Sequence, residues 1–128
     1  MASWVLERVL AGMAAVLLVN PAFAAEGDAK AGETVFKKCV ACHNMAKPPK
    51  NGIGPSLIGV MGRKAGGVEG FKYSDAMKNS TVVWDDAALD AYLKDPKGFI
   101  PNNKMVMAPL SKPEERANVI AYLRQAAK

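Results

Sequence analysis

Both cysteines of the chain and its one histidine lie within five residues, Cys39-Val40-Ala41-Cys42-His43. Thiols three residues apart fall on one side of a helical turn, so both can meet the two vinyl groups along one edge of a porphyrin. The histidine that follows is placed to reach the iron from one face. This is the C-x-x-C-H pattern of covalent c-type haem attachment. Two other chemistries also use a C-x-x-C pair. A zinc site needs four ligands, and with every Cys and His already spent only carboxylates are left to complete it. A dithiol redox centre needs a strand–helix–strand setting, and the flanking residues show no strand-like alternation.

The other face of the iron decides what the centre does. A second strong ligand makes an electron carrier, whereas an open or weakly held position admits oxygen, peroxide or nitric oxide, the chemistry of a haem-based peroxidase or gas sensor. No second histidine exists, so thioethers and lysines remain. Beyond the N-terminal segment the methionines are Met45, Met61, Met77, Met105 and Met107. Met45 is too near His43 along the chain to cross easily to the opposite face. Met105 and Met107 stand in a Pro-punctuated loop from Ile100 to Pro109. Two residues apart in extended chain, they point to the same side, and spacing leaves both as candidates.

The elements that must position these groups read as helices. Asp28 is placed to cap a first helix running to about Lys38, with Gly32, Val35 and Phe36 on one face. A glycine inside a helix weakens it by about 1 kcal/mol against Ala, so Gly32 suggests a close backbone crossing. Residues 44–70, rich in Gly, Pro and Lys, read as loops wrapping a cofactor. Short helices are expected over Ser74–Asn79 and Asp86–Lys94, the latter stopped by Asp95-Pro96. Ser111 and Glu114 have the spacing of a capping box with Pro113 in the first turn. The helix they open carries Ala117, Ile120, Ala121 and Leu123 on an apolar face, and is expected to cross the first helix at Gly32. The fold class is therefore all-α, a small single domain of helices and loops around one cofactor.

Length and composition agree. The chain has 128 residues, half of them hydrophobic, with 17 basic against 12 acidic side chains. That excludes multidomain enzymes, disordered tails and disulfide scaffolds. The uncharged run Val9–Val19 follows Arg8 and is shorter than the roughly 20 residues a membrane span needs. Ala22-Phe23-Ala24 then fits the A-x-A cleavage pattern of a secretory signal. Residues 1–24 are thus expected to be a cleaved leader, with retention as an anchor the alternative, and residues 25–128 a domain that works in the periplasm. The net charge of +5 suits acidic docking surfaces, and Lys37, Lys38, Lys47, Lys97 and Lys104 stand near the cysteines or the Met105 loop in sequence. Nucleic acid is not expected as a partner, since no binding motif is present and export removes it.

Taken together these residues resemble the class I cytochromes c, the soluble bacterial and mitochondrial kind. The resemblance runs from Gly27 to Ala127. It includes Gly32 with Phe36, the haem pentapeptide, Gly54-Pro55, Gly62-Arg63-Lys64, Tyr73-Ser74, Trp84, Tyr92-Leu93, Pro96-Lys97, Ile100-Pro101-Asn102-Asn103-Lys104-Met105 and Lys112 through Leu123. It implies the cytochrome c fold, one covalently bound haem c held by Cys39 and Cys42, and no enzymatic activity. His43 and Met105 would be the axial ligands, which resolves the choice between Met105 and Met107. Pro55 would offer its carbonyl to the other ring nitrogen of His43. Arg63, Tyr73, Ser74 and Trp84 would hold the haem propionates, and Tyr92 would lie near the Met105 sulfur.

Three positions depart from the family pattern. Met77 replaces an Asn common in relatives and becomes a remote alternative ligand. Met107 stands where an aromatic often shields the haem edge. Asn102-Asn103 replaces Gly-Thr, with Asn103 expected to keep a hydrogen bond to a propionate. The function implied is a one-electron carrier between respiratory or photosynthetic complexes. A cytochrome bc1-type complex or a dehydrogenase would be the donor, and a terminal oxidase or reaction centre the acceptor. Lys37, Lys38, Lys97 and Lys104 would dock them, and the carrier would act as a monomer in small, transient complexes.

Overall fold

The computed structural model describes residues 27–128 together with Gly12 and Ala15, so the expected leader and its cleavage point lie outside the described residues. Among the described residues five helices follow in order: α1 (Ala29–Phe36), α2 (Asp75–Lys78), α3 (Asp86–Lys94), α4 (Pro96–Phe99) and α5 (Pro113–Ala126). Among the described residues the only β pairing is an isolated antiparallel bridge between Lys64 and Val83. No helix among them is long and apolar enough to cross a membrane.

The expected cap of α1 forms. The Asp28 carboxylate accepts the N–H groups of Lys30 at 2.9 Å and Ala31 at 3.4 Å, satisfying donors that a helix start leaves unpaired. The helix ends at Phe36, two residues before the expected Lys38, and the chain tightens into successive turns. The Cys39 N–H donates to Phe36 O at 2.8 Å, and the His43 N–H to Cys39 O at 2.9 Å. That last bond closes one helical turn around the two cysteines and holds their spacing.

α1 crosses α5 at Gly32. A Cβ on Gly32 would lie 1.9 Å from the Asn118 carbonyl oxygen, and one on Gly27 would lie 1.9 Å from that of Ala117. The backbones approach so closely that only hydrogen fits. The Asp28 N–H donates to the Asn118 side chain at 2.8 Å, and the Phe36 and Tyr122 rings pack at 5.1 Å. α3 packs against α5 and α4.

Two element ends differ from expectation. The Ser111–Glu114 capping box does not form: the N-cap is Lys112 and makes no side-chain bond. The entry to α5 is fixed from outside instead. The Leu110 N–H donates to Leu93 O at 2.9 Å, and the buried Arg116 donates to Leu110 O at 2.8 Å and to Asp90 at 2.7 Å. Pro113 at the helix start needs no N–H partner, and Glu114 and Glu115 face the positive end of the helix dipole. After α3, Asp95-Pro96 stops the helix as expected, yet the same Asp95 caps a new turn, α4, by accepting the Gly98 N–H at 3.0 Å.

The long stretch between α1 and α2 is tied down at intervals. Gly62 N–H donates to Trp84 O at 2.8 Å, Trp84 N–H to Arg63 O at 2.9 Å and Ala65 N–H to Val82 O at 2.8 Å. These bonds place Arg63 and Trp84 side by side on the wall of the central cavity.

Candidate haem site

The cavity has a volume of about 300 Å³ and a mostly apolar wall. Cys39, Cys42 and His43 reach it from the turn after α1, and Met105 from the loop after α4. Pro55, Arg63, Tyr73, Ser74, Trp84 and Tyr92 also line it. Residues far apart in sequence, expected together from the family resemblance, thus line one cavity.

His43 is held in one tautomer. Its Nδ1 lies 2.8 Å from the Pro55 carbonyl oxygen; the oxygen has no proton to give, so Nδ1–H donates and Nε2 keeps its lone pair. A Cβ on Gly54 would come within 2.7 Å of the imidazole, so the ring lies flat against a backbone only glycine permits. Burial holds the imidazolium below its ordinary pKa, opposed by the Pro55 bond and reinforced by the Arg63 charge. The ring is therefore neutral at pH 7, as a metal ligand must be.

On the Met105 side, the Tyr92 hydroxyl lies 3.7 Å from the thioether sulfur. Burial pushes that hydroxyl up to about 12, so it keeps its proton and donates. Tyr92 packs on Trp84 at 5.0 Å between ring centroids.

The polar wall fits a haem with its two carboxylates. Arg63 donates to Ser56 O and Ile58 O, each at 3.1 Å, while its Nε–H is buried without an acceptor. A buried guanidinium N–H left unpaired is costly, and a haem propionate would supply the acceptor it lacks. The Tyr73 hydroxyl accepts the Val68 N–H at 3.0 Å and the Ser74 hydroxyl accepts the Met77 N–H at 3.1 Å. Each retains its own hydrogen to donate. Paired thiols, a neutral imidazole, a thioether and an apolar slot complete the donor set of a c-type haem.

Asn103 departs from expectation. It is 3% exposed and absent from the cavity wall. Both its amide hydrogens are used inside the fold, on Pro96 O at 2.7 Å and Ile100 O at 2.8 Å, so none is left for a propionate. The expected docking lysines divide. Lys38 pairs with Glu115 at 3.4 Å and the Lys97 ammonium is held by the Asn103 carbonyl. Lys37 and Lys104 are exposed, their ammonium groups without a hydrogen-bond or ion-pair partner among the described residues, and Lys104 lies at the cavity.

Sequence reasoning missed Lys72 and Phe71 on the wall, because the loop carrying them has no periodicity to assign a face. It also missed Ile53 and Val106, which line the cavity while 80% and 94% exposed. Val119 was findable: it stands four residues before Leu123, and both face the cavity from α5. Met77 and Met107, singled out as departures, both lie on the wall.

The comparisons with known proteins agree with this geometry. Residues 29–127 match the family model described as Cytochrome c. The chain is 47% identical over 114 residues to cytochrome c2 of Rhodomicrobium vannielii, covering 89% of this chain and 91% of that one. It is 55% identical over 89 residues to cytochrome c2 iso-2 of Magnetospirillum fulvum, covering 70% and 92%. Among solved structures, cytochrome cH from Methylobacterium extorquens superimposes with a TM-score of 0.73 at 49% identity, covering 77% of this chain and 98% of that one. Cys39, Cys42 and His43 line a cavity that accepts a haem, in a fold shared with these proteins, and the chain belongs to the cytochrome c family, whose members carry a covalently attached haem c and transfer electrons to and from redox proteins.

Proposed function

We propose that this cytochrome c holds its iron between His43 and Met105, with Cys39 and Cys42 forming the thioether links. It carries single electrons in the periplasm after a leader of residues 1–24 is removed. The observation that carries the ligand assignment is the pair of fixed contacts at one cavity, His43 to Pro55 O at 2.8 Å and Met105 to Tyr92 at 3.7 Å. When bound, the haem supplies an iron that alternates between ferric and ferrous states.

The chain's own residues tune that alternation. The Met105 thioether is neutral and soft, and favours the ferrous state more than a second imidazole does. The apolar wall acts the same way, since the oxidised centre carries more charge in a low-dielectric site. The Pro55 carbonyl keeps His43 oriented and basic. The Tyr92 hydroxyl steadies the Met105 sulfur, which opposes its displacement by small molecules and so weighs against a peroxidase or sensor role.

Partner choice follows from charge. Lys37, Lys72 and Lys104 present unpaired ammonium groups, the latter two at the mouth of the cavity. A cytochrome bc1-type complex or a dehydrogenase is the donor class this suits, and a terminal oxidase or photosynthetic reaction centre the acceptor class. The second-order rate of electron exchange with an acidic redox protein is expected to fall about tenfold as ionic strength rises from the low-salt to the physiological range and beyond. Lys104→Glu is expected to flatten that dependence and Lys97→Glu to alter it less. Stopped-flow mixing across a salt series measures both; a rate indifferent to salt would refute electrostatic docking. N-terminal sequencing of the exported protein is expected to begin at Ala25, and a start at Met1 would make the leader an anchor.

A further inference from the structure

Two methionines, Met105 and Met107, line the same cavity two residues apart, and the identity of neither thioether explains why one is the ligand. The difference lies in what holds their backbone. Asn103, buried beside them, makes five hydrogen bonds with one side chain. Its Nδ2 donates to Pro96 O at 2.7 Å and to Ile100 O at 2.8 Å, while its Oδ1 accepts the Met105 N–H at 2.9 Å, the Tyr92 hydroxyl at 3.3 Å and the Lys97 ammonium at 3.4 Å. The first two bonds fix the amide to both ends of α4. The third pins the Met105 backbone to that anchor. The fourth places the hydroxyl that also contacts the Met105 sulfur.

No such anchor exists for Met107. Among the described residues, the chain after Met105 makes no hydrogen bond until the Leu110 N–H reaches Leu93 O. Val106, between the two methionines, is 94% exposed. Met107 therefore stands on a stretch whose only nearby backbone anchor is the one that holds Met105.

Resting on the reading of Met105 as ligand, we propose that Asn103 is the positioning residue that assigns the iron to Met105 and withholds it from Met107. Its amide is suited to this because it offers two donors and two acceptor sites at once. A hydroxyl side chain at this position has one donor and cannot bridge both carbonyls of α4 while also accepting from Met105.

The test uses the full haem-bound protein and the weak far-red sulfur-to-iron charge-transfer band of the oxidised form, which reports thioether ligation whichever methionine supplies it. Met105→Leu is expected to lose the band, because the clamp still holds the loop and keeps Met107 away. Adding Asn103→Ala is expected to restore it, and adding Met107→Leu to that pair to abolish it again. A loss of packing alone would not restore a lost signal. If the double variant does not accumulate, Asn103→Ser in the same background removes the paired donors with a smaller change and carries the same expectation. The proposal is overturned if Met105→Leu alone shows a band that Met107→Leu removes. It is equally overturned if the Asn103 variants stay without a band, or if their band survives Met107→Leu. In the otherwise native protein, a band removed by Met107→Leu but not by Met105→Leu would instead refute the ligand reading on which the proposal rests.

Discussion

The double replacement of Cys39→Ser and Cys42→Ser is expected to yield a chain that surrenders its haem to acid–acetone extraction and does not fold cooperatively without it. Both thiols border the cavity, and with them gone only non-thioether contacts, which acid and acetone disrupt, would retain the group. Once it is extracted, the chain faces a largely apolar cavity of about 300 Å³. At about 24 cal/mol per Å³ this corresponds to roughly 7 kcal/mol, within the whole stability of about 5–15 kcal/mol typical of a domain. Arg63, Tyr73 and Ser74 would be left without the propionate acceptors they are expected to have, which adds to the loss. Thermal unfolding of the extracted variant by circular dichroism is expected to be broad, with the near-ultraviolet signal of Trp84 and Tyr92 lost. A sharp transition would mean that the α1–α5 pairing sustains the fold unaided.

Gly32→Val is expected to be the most destabilising single change away from the haem ligands, by about 4 kcal/mol or more. Its Cβ would meet Asn118 O at 1.9 Å and Asn118 C at 2.5 Å. These are backbone atoms of α5, so no rotamer relieves the clash and the helices must part. Parting them also breaks the bond from Asp28 N–H to the Asn118 side chain and the tilted ring contact of Phe36 with Tyr122. Gly59→Ala is the control. It has a φ of 77° but nothing within 4 Å of the added carbon, and should cost about 1 kcal/mol from backbone strain alone. Denaturant midpoints of the two variants separate crowding from conformation; similar losses would contradict the close crossing.

The haem site was legible in the sequence where chemistry is local. Cys39, Cys42 and His43 carry their meaning in their spacing, Asp28 caps the helix that follows it, and Gly32 announced a crossing because a helix tolerates glycine poorly. The site's polar wall needed the family resemblance, since nothing local to Arg63, Tyr73 or Trp84 says they meet. What stayed hidden depends on partners distant in sequence. Arg116 fixes the start of α5 through Leu110 and Asp90, overriding the Ser111 box. Asp95 both stops α3 and restarts the chain as α4, which brings the Pro96 carbonyl to Asn103. That turned Asn103 inward, where its carbonyl holds the Lys97 ammonium. Lys72 lines the cavity from a loop without periodicity.

The central claim is that His43 and Met105 together hold the iron. The most direct measurement is the far-red absorption of the oxidised haem-bound protein beside Met105→Ala and Met107→Ala. A sulfur-to-iron band present in the native protein, lost in Met105→Ala and retained in Met107→Ala is the predicted result. A native protein without the band, whose ferrous form binds carbon monoxide readily, would contradict it and make the second axial position an open site.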